Sequence, residues 1–425
     1  MTRKKFKKIV LIKSEFTRNA LTLTFGTGIA QAFPILFYPI LSRLFTPAEF
    51  GLFATIASLT AVIGVIATGK YEFAILIADT KQEAVNLIGL VFLLSSLFSI
   101  ISYFFLLLIS EYLIQIFNTP DLKQWLYISS LNIIFISIYY CYNEWAVRNK
   151  YFLNLSINKI LNSSSTTLGK FFFGIIKFPS NGLILGDLFG RLLTASGCIY
   201  RILEKDKDFF SYLSFSNLMV VAKKYLNFPK HVLPGYILNT LGGQFPVFFI
   251  GAYFTNSEVG YFSMTMNVLS VPSSIISSSI RDTFRQRAKN DYSETGNCLY
   301  IFQKTFITLA IATAIISIFI YFLIPELIEL FLGENWINSG EYAQIMIPAI
   351  ALAFISNSLN GVLYIAEKTK VILFFQLYYF SVSILSLFIG YMLFKSIHSI
   401  LLTYMIGMSS VYLLEIYLSY KYSKK

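Results

Sequence analysis

Four ionisable residues stand out because they lie in two neighbouring apolar stretches of the sequence. Lys159 and Lys170 belong to the first stretch, and Asp187 and Arg191 belong to the second. Three bases against one acid leave a surplus of positive charge in surroundings where salt screens it weakly. Because ionised donors form strong hydrogen bonds to anions, this set of residues predicts a binding site for an anionic ligand.

The two lysines are expected to share one face of a helix. They are 11 residues apart, which is about 20° beyond three full turns at about 100° per residue. Ser163 and Thr166 fall on the same face, and Asn162 falls at its edge. The result is a hydrophilic stripe about 16 Å long, at about 1.5 Å per residue.

The turn at 178–182 predicts that the two stretches form an antiparallel hairpin. Lys170 and Asp187 are equally far from its centre and should lie at the same depth, and Arg191 should also reach Asp187. On one interpretation these residues form only a buried ion pair that fixes two helices, while Lys159 reaches the membrane interface. On the other, the stripe lines a cavity and binds an anionic substrate. We favour the second, because a purely structural pair needs no surplus charge.

The composition predicts that an all-α membrane protein positions these residues. Of the 425 residues, 56% are hydrophobic and 13% are charged, whereas a soluble protein has about 25% charged residues. A spanning helix needs about 20 mostly apolar residues. Twelve runs of suitable length occur, at 19–41, 51–69, 84–109, 124–142, 152–176, 182–200, 232–253, 258–280, 300–323, 342–365, 371–393 and 396–419.

The distribution of basic residues predicts the orientation of these spans. With a cytoplasmic N-terminus, cytoplasmic segments hold 27 of the 34 basic residues, and the net charge of +12 divides into +15 inside, −4 outside and +1 within the membrane. This is a strong positive-inside pattern, so we expect both termini in the cytoplasm. The apolar stretch after the basic N-terminus is too long for a signal peptide and should remain as an uncleaved first span.

An internal repeat indicates a duplicated architecture. The segments 45–53 and 254–262 share five of nine residues at an offset of 209, close to half the chain. Two halves of six spans in the same orientation are typical of alternating-access transporters. The expected organisation is a basic N-terminal segment at 1–18, a six-helix bundle at 19–200, a cytoplasmic linker at 201–231, a second six-helix bundle at 232–419 and a basic tail at 420–425.

Other polar residues near or within the spans are given secondary roles. Lys70 and Glu72 follow the second span and should lie at the interface, with a cytoplasmic gate as the alternative. Glu415 is expected to reach the cytoplasmic interface rather than to bind a coupling ion. The second bundle should contribute amides that bind sugars or one another: Asn239, Gln244, Asn267, Asn357 and Asn360.

Several classes of function are disfavoured. The sequence has no GxxxxGK[ST] segment, so a proton or sodium-ion gradient, the substrate gradient or a partner protein would have to supply the energy. Its three cysteines and two histidines have no metal-ligand spacing, so we expect neither a metal nor a cofactor. No paired carboxylates or Ser-His-Asp set indicates catalysis, and transport is therefore favoured over chemistry.

Short motifs along nearly the whole chain resemble those of the Wzx-type polysaccharide flippases. These flippases belong to the multidrug/oligosaccharidyl-lipid/polysaccharide superfamily, together with the MATE exporters. Lys70 stands where the family usually has arginine, which weakens any expectation of a bidentate contact there. The motifs are at 39–51, 70–76, 83–87, 222–229, 259–262, 332–336 and 340–342.

The resemblance implies two six-helix bundles around a central cavity that opens alternately to each side of a bacterial cytoplasmic (inner) membrane. The implied cargo is an oligosaccharide on undecaprenyl pyrophosphate, moved to the outer leaflet for O-antigen, capsule or exopolysaccharide assembly. Lys159, Lys170 and Arg191 would then bind the pyrophosphate. Implied partners are membrane lipids, a polysaccharide polymerase and chain-length proteins, but no nucleic acid. Two alternatives remain: a cation-coupled MATE-like exporter of small amphiphiles, and a membrane polysaccharide polymerase.

Overall fold

The computed structural model describes residues 15–177 and 181–424. Most of the predicted basic segment 1–18, residues 178–180 of the predicted turn, and Lys425 lie outside the described residues. Long helices occupy all the predicted spans. They are α1 (Glu15–Leu44), α2 (Pro47–Ala67), α3 (Lys81–Phe117), α4 (Leu122–Arg148), α5 (Phe152–Ile175), α6 (Gly182–Lys205), α7 (Leu233–Tyr253), α8 (Asn256–Thr295), α9 (Leu299–Leu332), α10 (Ile337–Leu359), α11 (Thr369–Phe394) and α12 (Ile397–Ser423).

Apolar length explains most of these helices, and the exceptions are informative. In the described part of the chain, nine helices are long and apolar enough to cross a membrane. The three long helices outside that group are α5, α7 and α8, in which amides, hydroxyls or charges interrupt the apolar pattern. Large apolar side chains elsewhere are exposed, as Leu108 is at 84%, and a bilayer accommodates such surfaces. The predicted all-α membrane fold is confirmed.

The described residues divide into two compact units. Unit 1 takes the chain up to Phe37, with Ile63–Leu108 and Leu126–Leu233, and unit 2 takes the remainder: Tyr38–Val62, Ile109–Trp125 and everything from Pro234. Each unit has its own core of large buried side chains, around Trp145 in unit 1 and around Tyr342 in unit 2. The predicted bundle boundaries stay a prediction.

The internal repeat has a local structural role in unit 2, because each copy begins a helix with the same cap. The Thr46 hydroxyl accepts a hydrogen bond from the Glu49 amide at 3.3 Å, and the Glu49 carboxylate accepts one from the Thr46 amide at 2.8 Å. The Thr255 hydroxyl accepts a hydrogen bond from the Glu258 amide at 3.3 Å. A threonine followed three residues later by glutamate is a capping box, which explains why both residues recur in the repeat.

The two copies of the repeat also touch each other, at a pair of glycines. A Cβ atom built on Gly51 would lie 1.8 Å from the Asn256 carbonyl oxygen, and one on Gly260 would lie 1.9 Å from the Pro47 carbonyl oxygen. The offset of 209 relates Gly51 to Gly260 and Pro47 to Asn256. Helices α2 and α8 therefore cross reciprocally, and only a residue without a side chain fits at either crossing point.

Within unit 1, the segment after α6 packs against the start of α3. Asn86 donates a hydrogen bond to the Tyr212 carbonyl at 2.8 Å and accepts one from the Ser214 amide at 3.0 Å. The short helix Phe215–Lys224 ends on Lys224, whose ammonium lies 2.7 Å from the Asp79 carboxylate. We call this contact between Lys224 and Asp79 the linker latch.

Replacing Lys224 with glutamine should loosen the linker. The Lys224 ammonium holds the pKa of Asp79 below its usual value, and the Asp79 carboxylate raises the pKa of Lys224. The latch is therefore lost as the pH falls through the lowered pKa of Asp79 or rises through the raised pKa of Lys224, and it persists between about pH 5 and 9. We expect Lys224→Gln to speed tryptic cleavage of 205–223 several-fold throughout this range.

The neighbouring substitution Lys223→Gln removes one tryptic site as well and serves as the matched control. Lys223 is exposed and forms no ion pair within the described residues. Because the latch is exposed, high salt should also accelerate cleavage of the unsubstituted chain. Equal cleavage of the two variants would show that the latch does not hold the linker.

Candidate functional site

Helices α5 and α6 of unit 1 pack with their backbones in contact because glycines line the seam. A Cβ atom on Gly186 would lie 2.2 Å from the Lys170 amide nitrogen, and one on Gly190 would lie 2.3 Å from the Thr166 Cα atom. The Ser165 hydroxyl donates a hydrogen bond across the seam to the Gly190 carbonyl at 2.9 Å. Small residues allow this close approach in membrane helices. It also brings the long polar side chains beside the seam within reach of each other.

Asp187 is shared by two cations at this seam. The Lys170 ammonium lies 3.2 Å from its Oδ1, and Arg191 Nε donates a hydrogen bond to its Oδ2 at 2.6 Å. The exposed fractions of the side chains are 9% for Asp187, 17% for Lys170 and 28% for Arg191. The predicted ion pairs are present. Their net charge is positive, and the most accessible member is the guanidinium, which can bind an anion in a bidentate manner.

The other residues of the predicted stripe face α1 or their own helix. Lys159 donates a hydrogen bond to the Thr27 hydroxyl at 3.0 Å, and Ser163 donates one to the Ala30 carbonyl. Thr166 donates to the Asn162 carbonyl at 2.8 Å. Lys159, Asn162, Ser163 and Thr166 are all half-buried. Lys159 therefore bonds to α1 instead of reaching an interface, and no carboxylate lies within ion-pair distance of it among the described residues.

This arrangement can bind anions and is poorly suited to acid–base chemistry. Both oxygens of Asp187 are already engaged by cations. No group of three or more His, Cys, Asp or Glu side chains is placed to hold a metal ion in the part of the chain that the structure describes. Hydroxyls and half-buried cations on one helix hairpin instead match a ligand that carries both phosphate and hydroxyl groups.

The predicted gate residues, Lys70 and Glu72, are buried within unit 1, and their expected position at the membrane interface stays a prediction. The Lys70 ammonium lies 3.2 Å from Glu72 Oε1, and the two side chains are 7% and 3% exposed. Gly69 and Lys70 both have left-handed backbone conformations, with φ of 57° and 61°, which reverse the chain after α2. The reversal places Lys70 over the Tyr140 ring, 5.8 Å from its centroid. The ion pair offsets the cost of burying both charges, and the gating role stays a prediction.

The predicted amides of unit 2 have separate partners. Asn239 donates a hydrogen bond to Gln376 at 2.9 Å, and Gln244 accepts one from the Ser58 hydroxyl at 2.7 Å. Asn267, Asn357 and Asn360 are half-buried. These contacts satisfy Asn239 and Gln244 within unit 2, and the proposed role of the amides in binding sugars stays a prediction.

Glu415 is buried instead of extending towards water, so the expectation that its carboxylate reaches the aqueous interface was wrong. Glu415 is 7% exposed, and its carboxylate accepts a hydrogen bond from the Ser356 hydroxyl on α10. The contact holds the side chain between α10 and α12. A serine on a neighbouring helix thus removes the need for the carboxylate to extend towards water.

The structure adds residues that the sequence did not single out. Tyr139 and Tyr140 on α4 lie within electrostatic range of the Arg191 guanidinium, and aromatic rings of this kind can pack against sugars. Asp79, Glu83 and Asn86 all bind the linker. Glu83 and Asn86 lie three residues apart on one face of α3, within the motif at 83–87, whereas Asp79 precedes that helix.

Comparison with known families gives an extended match. Residues 40–341 match the model of a family described as polysaccharide biosynthesis proteins. No curated protein matches the sequence significantly. The matched segment includes the α5–α6 hairpin and both copies of the internal repeat.

Solved structures with the same fold are transporters and flippases. The lipid II flippase MurJ in its inward closed conformation superposes with a TM-score of 0.72 and 16% identity, covering 95% of this chain and 87% of that chain. A mutant of the MATE transporter VcmN from Vibrio cholerae gives 0.62 and 14%, covering 95% of each chain. A superfamily transporter from Pyrococcus furiosus gives 0.61 and 14%, covering 98% of each.

At these identities the structural matches establish the fold alone, whereas the family match establishes membership. Together they confirm the resemblance to the polysaccharide flippases and their superfamily. The chain is a multi-pass membrane protein of the polysaccharide biosynthesis protein family, with the fold shared by MurJ and the MATE transporters.

Proposed function

We propose that the protein flips an oligosaccharide linked to undecaprenyl pyrophosphate from the cytoplasmic to the outer leaflet of a bacterial inner membrane. The observation that carries this proposal is the surplus of positive charge on the α5–α6 hairpin. Lys170 and Arg191 share one carboxylate, and Lys159 is held by a hydroxyl alone. A pyrophosphate is a compact multivalent anion and would balance this charge.

The cargo has two further parts that the chain can accommodate. Ser163, Thr166 and Asn162 lie on the same helix as Lys159 and Lys170. The hydroxyls of Ser163 and Thr166 donate to backbone carbonyls, so their oxygens would act as acceptors for sugar hydroxyls. Exposed apolar helix surfaces face the bilayer, where a polyprenyl tail would remain in contact with lipid. The binding energy would thus come from the pyrophosphate and the sugar, while the polyprenyl tail stays in the lipid.

Flipping would occur by alternating access without ATP. The parallel repeat and the transporter fold support this mechanism. A proton or sodium gradient would supply the energy, and both termini would lie in the cytoplasm as the positive-inside pattern predicts. A polysaccharide polymerase and chain-length proteins would use the flipped product in O-antigen, capsule or exopolysaccharide assembly.

A second candidate is a MATE-like exporter of small amphiphiles, because MATE transporters share the fold. The two candidates differ in the charge of the cargo. Cationic amphiphiles would be repelled by a site in which bases outnumber acids, so this alternative requires anionic or neutral cargo. Deletion of the gene should then sensitise cells to such compounds and leave surface polysaccharide unchanged.

The proposal predicts that Lys159→Ala, Lys170→Ala and Arg191→Ala each reduce flipping at least tenfold. A hydrogen bond to a charged group contributes about 1.5–3 kcal/mol, and about 1.4 kcal/mol corresponds to a factor of ten. The measurement is surface polysaccharide in cells, together with the amount of folded protein in the membrane. Lys177→Ala is the matched control, because Lys177 is an exposed lysine two residues after the end of α5.

The two interpretations of the site give different outcomes. Unchanged polysaccharide in all three variants rejects the binding role. Loss of the folded protein itself indicates a structural ion pair, and in that case Lys170→Arg, which keeps the charge, should restore the protein level. Loss of polysaccharide at a normal protein level supports the proposal.

A further inference from the structure

Unit 1 contains an apolar cavity outside the α5–α6 site. Its volume is about 330 Å³, more than twice the roughly 150 Å³ of an apolar cavity that binds benzene. Helices α3, α4 and α6 form its walls, and the short helix Phe209–Tyr212 after α6 covers one end. The wall residues include Phe92, Ile138 and Ile202.

The chemistry of the wall excludes a polar ligand. No polar atom is exposed in the cavity, although Ser137 and Cys141 contribute to its lining. The Ser137 hydroxyl donates a hydrogen bond to the Ile133 carbonyl at 2.7 Å and therefore needs no partner in the cavity. A cavity with satisfied polar groups and apolar walls does not hold water stably. Its natural occupant is a hydrocarbon.

The position of the cavity gives access to lipid. Several lining side chains are more than one third exposed, namely Phe92 at 51%, Leu203 at 38% and Phe210 at 66%. Ile88 and Phe92 lie roughly two to three turns from the start of α3 at Lys81, or about 10–17 Å at 1.5 Å per residue. The start of α3 is predicted to be cytoplasmic. The cavity therefore lies at the depth of the acyl chains of the cytoplasmic leaflet.

The charge of the adjoining linker favours an anionic headgroup. Between 201 and 231 there are six basic and three acidic residues. One of the acids, Asp206, is already paired with Lys81 at 2.9 Å. Lys205 and Lys207 are exposed at the cavity end of α6, and the Lys205 ammonium lies 4.1 Å from the centroid of the Tyr151 ring. Basic residues at this interface attract anionic lipids.

We propose that this cavity is a binding site for one acyl chain of an anionic phospholipid from the cytoplasmic leaflet. The chain would enter between the exposed side chains of α3 and α6, and its phosphate would lie near Lys205 and Lys207. The cavity shares α6 with the cationic hairpin, but none of the hairpin's charged residues lines it, and the proposal does not depend on the cargo that the protein moves.

The test uses the full-length protein in vesicles that contain phosphatidylglycerol with a photoreactive group on its acyl chain. After illumination, crosslinked peptides are mapped by mass spectrometry. We expect crosslinks concentrated on the lining segments of α3, α4 and α6. Ile138→Trp should fill the cavity and reduce these crosslinks at least fivefold. Leu108→Trp, at an 84% exposed position of α3, should leave them unchanged.

Further experiments with other photoreactive lipids identify the bound lipid. Photoreactive phosphatidylcholine should label the cavity several-fold less than phosphatidylglycerol, and Lys205→Gln with Lys207→Gln should reduce that difference. Labelling by a photoreactive polyprenyl phosphate in preference to phosphatidylglycerol would overturn the choice of ligand. Crosslinks spread evenly over lipid-facing helices of the unsubstituted protein would overturn the site itself, whatever the folding of the variants.

Discussion

Replacement of Asp187 with alanine is expected to abolish most of the folded protein. Asp187 is 7% exposed and is the acceptor for both Lys170 and Arg191. Without it, two neighbouring cations face each other in a low-dielectric environment. Breaking a buried ion pair by removing one partner costs about 3–5 kcal/mol, which is a large part of the stability of most proteins. The measurement is thermal unfolding of the detergent-solubilised protein, together with its yield from membranes.

A charge-free version of the same site separates folding from function. The triple substitution Lys170→Met, Asp187→Leu and Arg191→Met removes all three charges of the ion-pair cluster and keeps similar side-chain volumes, so it should recover most of the lost stability. It should not recover flipping, because the pyrophosphate donors are gone. Asp121→Ala removes an exposed acid and is the control. If Asp187→Ala is as stable as this control, the carboxylate does not hold the hairpin together.

The second large effect is expected at the crossing of the two repeats. Alanine at Gly51 would place a Cβ atom 1.8 Å from the Asn256 carbonyl oxygen, and alanine at Gly260 would place one 1.9 Å from the Pro47 carbonyl oxygen. Both distances lie far inside van der Waals contact, so α2 and α8 must separate. Overpacking of this kind costs about 1–3 kcal/mol and occasionally more. We expect each variant to unfold at a lower temperature and to lose most activity.

The reciprocity of the contact provides a sharper test. Once one substitution has separated the helices, the second should cost little, so the double variant should be less destabilised than the sum of the single variants. Gly64→Ala, on the same helix α2, meets no atom within 4 Å and should be neutral or slightly stabilising. Strict additivity of the two substitutions would contradict the proposed crossing.

The membrane-spanning helices could be predicted because the length of an apolar run and the basic residues beside it are local properties of the sequence. Each predicted span coincides with a helix, since about 20 apolar residues can satisfy their backbone in a bilayer only as a helix. The pairing of Lys170 with Asp187 followed from hairpin symmetry alone, and the structure contains it. The same symmetry could not reveal the glycine seam, which depends on how closely two backbones approach.

The sequence did not reveal contacts of charged residues whose partners come from tertiary structure. Two successive left-handed residues turn Lys70 towards Glu72 inside unit 1, and both side chains become buried. Glu415 was expected to extend towards water, but Ser356 is 59 residues away in sequence and meets it on a neighbouring helix. A hydropathy pattern carries no information about either contact, because it treats each residue without its neighbours in space.

The polarity of α5 has a consequence for the biogenesis of the protein. This helix is outside the group of helices apolar enough to cross a membrane alone, whereas α6 belongs to that group. A lysine at the centre of a helix costs about 2.5–3.5 kcal/mol during insertion by the translocon. We expect α5 to wait in the translocon until α6 has been synthesised, so that Asp187 neutralises Lys170 before the hairpin enters the lipid. The carboxylate would then act first during synthesis, before the protein has any cargo.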